Sequence, residues 1–191
     1  MVDGDVIDEE PLAAGSFSAW LAGMRRALDG DAASEVPCGG CTACCTSSQF
    51  IAIGPDETET LARIPAPLLF PAPRRPRGHV LLGYDENGHC PMLVEGACSI
   101  YEYRPRTCRT YDCRVFPAAG IDPDDGDKAE ISRRARRWVF AHPADEDARD
   151  HDAVLAAARF IGEHPDRLPD GPPGNATQHA VLAVRLSGTL P

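Results

Sequence analysis

The run CGGCTACC begins at Cys38 and spaces its cysteines as C-x2-C-x2-C-C. A thiolate is a soft, anionic ligand, and a C-x2-C turn lets two sulfurs reach one metal ion. Two such turns overlap here, so three sulfurs can converge from one loop, and a further cysteine follows directly. Glycine in the first turn allows the backbone to reverse and point its N–H groups at sulfur. The run predicts a metal site with the ligands Cys38, Cys41, Cys44 and Cys45.

All cysteines of the chain, 8 in number, lie between positions 38 and 113. Packing alone does not explain this crowding, because both flanking segments contain none. We expect a reducing compartment, where structural disulfides are uncommon, so metal ligation is favoured over a disulfide framework. The further candidate ligands are Cys90, Cys98, Cys108 and Cys113.

The composition is that of a soluble protein, with 43% hydrophobic and 25% charged residues. A net charge of -10 predicts repulsion from nucleic acid and anionic lipid, so neither is expected as a partner. No stretch approaches the ~18 apolar residues that cross a bilayer. The acidic N-terminus lacks the apolar core of a secretory signal. We therefore expect a cytoplasmic protein without a membrane partner.

The predicted fold class is α+β: a small, irregular, metal-stabilised cysteine-rich core with a short antiparallel meander, wrapped by several helices. Residues 1–15 are expected to form an acidic tail and residues 16–191 a single domain. Within that domain, residues 36–116 form the metal-binding core and residues 117–191 a mainly helical part.

Patterns in the flanks place three of these helices. An apolar stripe predicts one that starts after Ser16, and the arginine-rich segment Ile131–Phe140 predicts another. Asn175 with Gln178 three residues later resembles a capping box for a last helix. The apolar stripe consists of Phe17, Trp20, Leu21, Met24 and Leu28.

Two turn signals predict the meander of the core. Asn87-Gly88 lies between the β-like segments His79–Tyr84 and His89–Val94, and Asn-Gly is a strong hairpin signal. Glu95-Gly96 predicts a second tight turn. These turns are expected to bring Cys90 and Cys98 close together.

The grouping of the cysteines around metal stays open at this stage. The bacterial ferredoxin pattern joins C-x2-C-x2-C to a further cysteine that precedes proline, as Cys90 precedes Pro91. A 4Fe-4S cluster on Cys38, Cys41, Cys44 and Cys90 is therefore sterically reasonable. It leaves a second tetrahedral set of Cys45, Cys98, Cys108 and Cys113.

Other features bear on the choice of metal. Zn2+ explains the C-x2-C turns as well as iron–sulfur does. Cys45 directly follows Cys44, and adjacent side chains point apart in extended backbone, so the pair can serve two centres or bridge them. Arg104 and Arg109 are candidate cofactor-binding residues, because a guanidinium near thiolates can donate charge-assisted hydrogen bonds to a cluster. Surface ion pairing is the alternative for both arginines.

Taken together, these motifs resemble a known family. The run at Cys38–Cys45, followed by Gly88–Leu93, Cys98–Tyr101 and Arg104–Arg109, is similar to the bacterial cysteine-cluster family named for its C-x2-C-x2-C-C signature. That family is regarded as zinc- or iron-chelating. A related segment occurs in flagellin lysine N-methylases, where the resemblance implies an iron–sulfur cluster.

The resemblance covers about residues 36–116 and gives no reaction. It implies as ligands Cys38, Cys41, Cys44, Cys45, Cys90, Cys98 and Cys108. Cys113 lies just past the motif, and its loss is expected to matter less.

Three functions follow from the sequence. The first is a cytosolic metal-binding protein whose thiolates hold an iron–sulfur cluster, of the 4Fe-4S type, or zinc. The second is a structural zinc module that binds a protein partner. The third is an iron–sulfur-dependent enzyme of methyl transfer or redox chemistry, for which no catalytic residue can be named because no nucleophile elbow, phosphate loop or H-E-x-x-H motif is visible.

Overall fold

The computed structural model describes residues 10–34, 36–123, 126 and 128–188. The helices in these ranges are α1 (Phe17–Asp29), α2 (Thr58–Leu61), α3 (Arg106–Thr110), α4 (Val115–Ala119), α5 (Ala129–Arg136), α6 (Asp145–Glu163) and α7 (Ala176–Leu186). The strands are β1 (Leu12–Ser16), β2 (Ile51–Ile53), β3 (Leu69–Pro71), β4 (Val80–Leu82), β5 (Leu93–Val94), β6 (Ala97–Cys98) and β7 (Trp138–Ala141). Short 3-10 helices cover Ala43–Thr46, Ala66–Leu68, Tyr101–Tyr103 and Pro165–Arg167. The predicted α+β class with short antiparallel sheets is confirmed.

The chain divides into two compact units. The first, called here the cysteine unit, comprises Ala22–Cys113 and Pro123–Ser132 and contains every cysteine. The second, called the helical unit, comprises Met1–Leu21, Arg114–Asp122 and Arg133–Pro191.

The helical unit is built on a parallel strand pair and three packed helices. Strands β1 and β7 run parallel, and residues alternate between buried and exposed along β7. Phe17 is fully buried, and its ring meets Phe140 edge-on at 4.9 Å between centroids. Helices α4, α6 and α7 pack on one another through small buried residues, among them Ala157, Ala180 and Ala183.

The cysteine unit contains a three-stranded antiparallel sheet in the order β2-β4-β3. One face of this sheet covers a small apolar cluster of Ile53, Ile64, Leu82, Met92 and Ile100, against which Cys90 and Cys98 pack. A core of this size places the cysteines at its margin, where loops rather than regular elements dominate.

The outer face of the same sheet carries three exposed aromatic rings. Phe50 lies 5.9 Å from Phe70 and 4.9 Å from Tyr84, measured between ring centroids. The ring of Phe70 extends over Gly83, where a Cβ atom would stand 3.2 Å from the ring. A side chain at position 83 would therefore displace Phe70.

Several predicted elements are confirmed. Helix α1 follows Ser16 and buries Phe17 and Met24 of the predicted stripe. The Asn175 side chain accepts the N–H of Gln178 (2.9 Å) at the start of α7. The hairpin at Glu95-Gly96 joins β5 to β6, and both turn residues have positive φ.

Other predicted elements are corrected. The acidic tail was expected to reach residue 15, yet Leu12–Ser16 form β1; residues 1–9 lie outside the described ranges. The arginine-rich helix ends at Arg136, because Trp138–Ala141 extend to pair with β1. The Asn87-Gly88 turn exists, but β4 pairs with β2 and β3 instead of the segment after that turn.

Candidate metal centre

The cysteine run folds as two successive tight turns. The N–H of Cys41 donates to the carbonyl of Cys38 (3.1 Å), and the N–H of Cys45 donates to the carbonyl of Thr42 (2.7 Å). Gly39 has a φ of 57°, the left-handed conformation that glycine adopts without steric cost. These turns present the sulfurs of the run from one short loop.

Buried neighbours anchor the second half of the run. Ala43 is buried, and the hydroxyl of Ser47, also buried, donates to its carbonyl (2.5 Å). Between these anchors the 3-10 helix Ala43–Thr46 carries Cys44 and Cys45. Cys44 reaches solvent, whereas Cys45 is half-buried.

Two backbone hydrogen bonds align the run with the segment that contains Cys90. The N–H of Cys90 donates to the carbonyl of Cys45 (2.7 Å), and the N–H of Ser48 donates to the carbonyl of Gly88 (2.9 Å). Gly88 has a φ of 79°, and a Cβ atom there would clash with the Ser48 hydroxyl. Glycine at this position therefore permits the approach of Cys45 to Cys90.

The β5–β6 hairpin brings Cys98 to the same place. The N–H of Leu93 donates to the carbonyl of Cys90 (2.9 Å), and Leu93 pairs with Cys98 across the hairpin. The predicted proximity of Cys90 and Cys98 agrees with this register.

Helix α3 carries Cys108 and is held by residues far away in the sequence. Its first N–H group, that of Arg106, donates to the carboxylate of Glu57 (2.5 Å), and the hydroxyl of Thr107 donates to the carbonyl of Ala52 (2.7 Å). Thr60 adds a hydrogen bond to the carbonyl of Tyr103 (2.7 Å) just before the helix. These contacts fix α3 against β2 and α2.

Cys113 is 7% exposed and follows Asp112, which is buried. The hydroxyl of Ser34 donates to the Asp112 carboxylate (2.9 Å), and the N–H of Ser34 donates to the carbonyl of Arg109 (2.7 Å). The chain that leads into Cys38 is thereby bound to the segment that ends in Cys113.

Burial and nearby thiols both raise the pKa of Cys44. The residue Cys44 as a whole reaches solvent, but its sulfur is desolvated. This desolvation is the main cause that raises the pKa of Cys44 well above its ordinary value. Negative charge on nearby thiols raises that pKa further, in the decreasing order Cys113, Cys38, Cys45 and Cys41. A thiolate at Cys44 is therefore disfavoured unless a positive charge, such as that of a metal ion, balances it.

The pKa values of Cys45 and Cys108 are raised as well. Burial is the main cause that raises the pKa of Cys45 to about 11, and the charges of Cys90, Cys98, Cys41 and Cys38 add to it. Burial is also the main cause that raises the pKa of Cys108 to about 12. The charges of Cys90, Cys45 and Cys98 raise that pKa further, and the charge of Arg104 lowers it.

Cys90 receives hydrogen bonds that favour its thiolate. Burial is the main cause that raises the pKa of Cys90, and the charge of Cys98 adds to it. The N–H groups of Met92 and Leu93 oppose that rise by donating towards the Cys90 sulfur. N–H groups placed in this way soften the charge of a metal-bound thiolate.

This arrangement differs from the grouping suggested by the ferredoxin pattern. That pattern joins Cys90 to the run of Cys38, Cys41 and Cys44, whereas the backbone of Cys90 is hydrogen-bonded to that of Cys45 and the hairpin brings Cys98 beside it. Among the described residues, no three Cys, His, Asp or Glu side chains are close enough to enclose a metal ion in this conformation.

Of the two candidate arginines, Arg104 has the more defined position. Its guanidinium stacks over the ring of Tyr101, 4.0 Å from the centroid, and donates to the Tyr101 carbonyl (2.8 Å). Its charge also acts on Cys108. Arg109 is half-buried, and its carbonyl accepts the Ser34 N–H.

The positioning residues Glu57, Ser34 and Asp112 were not predicted from the sequence. The sequence neighbours of Glu57, Pro55 and Asp56, give no sign that its carboxylate is buried. Its burial at 8% exposure is visible only in the folded chain. No local pattern reveals that one partner of this carboxylate lies 49 residues away.

Comparison with known proteins agrees with this chemistry. No curated protein and no solved structure matches the chain. None of the helices in the described ranges has the length and hydrophobicity to span a membrane. Residues 37–131, which include every cysteine, match the CxxCxxCC family model, described as "Putative zinc- or iron-chelating domain". Residues 37–131 therefore form a CxxCxxCC domain.

Proposed function

We propose that this chain is a cytoplasmic metal-binding protein whose clustered thiolates hold an iron–sulfur cluster of the 4Fe-4S type. The observation that carries the proposal is the convergence of all cysteines within the cysteine unit, although their positions extend from 38 to 113. Three sulfurs come from the C-x2-C-x2-C run, a spacing typical of 4Fe-4S clusters.

The donor set fits the proposed group. Thiolates are the preferred ligands of iron–sulfur clusters and are equally good ligands for Zn2+. The four sulfurs of a site have to move inward on binding, because no three of the described donor side chains enclose an ion beforehand. The run itself is a loop with a 3-10 helix, which can adjust more easily than a strand or a long helix.

The chain's own residues would position and tune the bound group. An iron–sulfur cluster supplies reversible one-electron transfer when bound. The N–H groups of Met92 and Leu93 would offset negative charge at Cys90, and Arg104 would do the same at Cys108. Burial of Cys113 would shield part of the site from solvent.

A structural zinc module is the second candidate, and the exposed aromatic face of the β2-β4-β3 sheet favours it. Phe50, Phe70 and Tyr84 are each at least 40% exposed, and the ring of Phe50 contacts those of the other two. Exposed aromatic groups of this kind are frequent in protein-binding surfaces. In this reading the metal stabilises the unit that carries the surface, and a protein partner covers the rings.

Metal and sulfide analysis separates the two candidates. The full chain is purified anaerobically without added metal, and iron, zinc and acid-labile sulfide are measured per chain. About four iron and four sulfide per cluster, with absorption near 400 nm, support the proposed function. Zinc without sulfide supports the structural module instead. A protein that holds no metal after purification and after anaerobic reconstitution with iron and sulfide or with zinc contradicts both.

A further inference from the structure

We propose that the cysteines form two separate metal centres with four sulfurs each. The loop centre consists of Cys38, Cys41, Cys44 and Cys113. The hairpin centre consists of Cys45, Cys90, Cys98 and Cys108. This inference rests on the proposed metal binding and adds how many sites there are and which cysteines share each one.

Backbone contacts support the hairpin centre. The Cys90 N–H binds the Cys45 carbonyl (2.7 Å), so these two residues lie on adjacent segments. The β5–β6 hairpin places Cys98 opposite Leu93, whose own N–H binds the Cys90 carbonyl. Both Cys90 and Cys98 pack against the same apolar cluster, so their side chains leave the backbone towards one region.

Cys108 joins this set through α3. The helix is fixed to β2 by the hydrogen bond from Thr107 to Ala52. Ala52 lies between Ile51 and Ile53, which contact the apolar cluster that Cys90 and Cys98 also contact, so α3 brings Cys108 to the same region.

The loop centre combines the run with Cys113. Ser34 binds both Asp112 and the carbonyl of Arg109, which holds the chain just before Cys38 against the segment that leads to Cys113. Cys44 belongs to the same run, in the 3-10 helix that follows Cys41. The tight turn from Cys38 to Cys41 supplies the remaining ligand from the same loop.

The 3-10 helix explains why adjacent cysteines serve different centres. Cys44 and Cys45 are neighbours in Ala43–Thr46. A 3-10 helix has about three residues per turn, so consecutive side chains point about 120° apart. The Cys45 carbonyl accepts the N–H of Cys90, so Cys45 lies beside the hairpin segment, and the side chain of Cys44 leaves the helix in another direction. The dipeptide Cys44-Cys45 therefore links the two centres, and each of its sulfurs binds in a different one.

Pairs of cysteine substitutions test this grouping. Metal per chain is measured for the wild type and for single and double Cys→Ser variants of the full chain. Cys41→Ser should lose half of the metal. The double variant Cys41→Ser/Cys113→Ser should also lose only half, because both residues belong to the loop centre. The double variant Cys41→Ser/Cys90→Ser should lose all of it.

The alternative grouping gives the opposite result. If Cys90 completes the site of the run, then Cys41→Ser/Cys90→Ser keeps half of the metal and Cys41→Ser/Cys113→Ser keeps none. That outcome overturns the inference while metal binding stands. A wild type with one metal centre per chain also overturns the inference, whereas a wild type that binds no metal overturns the proposed function itself.

A second measurement avoids variants that fail to fold. The wild-type chain is stripped of metal and reconstituted with 113Cd, and couplings between cadmium and the cysteine Hβ atoms are recorded by NMR. Two cadmium resonances are expected, one coupled to the loop centre and one to the hairpin centre. A single resonance, or one resonance coupled to both Cys41 and Cys90, contradicts the grouping.

Discussion

The carboxylate of Glu57 accepts the backbone N–H of Arg106 across 49 positions of sequence. Its other oxygen accepts the N–H of Gly54 (2.8 Å), so both oxygens bind backbone groups. Arg106 is the first residue of α3, two positions before Cys108. Glu57 therefore sets the position from which Cys108 reaches the hairpin centre.

The substitution Glu57→Gln should weaken the hydrogen bonds that hold α3, and with it Cys108, in place. The amide keeps one acceptor oxygen but places an NH2 group against a buried N–H group. Leaving a buried donor unsatisfied costs about 1–3 kcal/mol, so we expect lower stability and faster loss of metal to a chelator. Urea unfolding and chelator competition measure the two effects. Glu59→Gln, an exposed change in α2, is the matched control, and equal behaviour of the two variants would refute the role of Glu57.

Two glycine substitutions should differ in their effect on metal. Gly88 and Gly96 both have positive φ, which an alanine adopts at a cost of roughly 1 kcal/mol. At Gly96 nothing lies within 4 Å of an added Cβ, so only that cost applies. At Gly88 the Cβ would also clash with Ser48 and separate the segments that hold Cys45 and Cys90.

We therefore expect Gly88→Ala to bind less metal, and Gly96→Ala to keep full metal content with slightly lower stability. Metal per chain and the urea midpoint are measured for both variants. Full metal content in Gly88→Ala would show that the close approach at Ser48 is not needed for the hairpin centre.

Metal removal should affect the two units differently. Both tryptophans, Trp20 and Trp138, lie in the helical unit, whereas every tyrosine lies in the cysteine unit. The apolar cluster of the cysteine unit is small, so bound metal is expected to supply much of its folding energy, about 10–16 kcal/mol for a structural zinc site.

A chelator should therefore abolish the near-ultraviolet circular dichroism of tyrosine while tryptophan emission stays native. Chelator saturated with zinc beforehand is the control, and reloading with metal should restore the tyrosine signal. Simultaneous loss of both signals would mean that the helical unit also depends on metal.

Sequence patterns predicted the elements that depend only on residues next to each other in the chain, such as a tight turn and a helix cap. The Glu95-Gly96 turn formed as expected because both residues adopt the left-handed backbone that a tight hairpin needs. Asn175 capped α7 because its side chain reaches an N–H three residues later in any context.

The contacts of Cys90 were not predictable from spacing. Cys90 precedes proline as in ferredoxins, but its position is set by a hydrogen bond to Cys45. The segment after the Asn87-Gly88 turn does not pair with β4, because Val80 and Leu82 pair with Ile53 and Ile51 of β2. Both outcomes depend on contacts between segments that are far apart in the sequence, and no local signal encodes them.

The hydrogen bonds of Asp147 in α6 should make the stability of the helical unit depend on pH. Its carboxylate accepts the N–H of Ser18 (2.9 Å), the hydroxyl of Ser16 (2.8 Å) and the N–H of Ala144 (3.0 Å). These hydrogen bonds, with the Ser18 N–H first, lower the pKa of Asp147 to about 2. In an unfolded chain the pKa of an aspartate is about 3.9.

Because the folded-state pKa is the lower of the two, the stabilisation by Asp147 is complete above about pH 4 and is lost as the pH falls towards about 2. Asp147→Asn removes the titrating group and one acceptor. We expect a lower melting temperature at neutral pH and a smaller decline between about pH 4 and about pH 2 than in the wild type. Tryptophan emission reports the melting of the helical unit, and Asp145→Asn, an exposed change in the same first turn, is the control. An unchanged acid decline in Asp147→Asn would assign the acid sensitivity of this unit to other carboxylates.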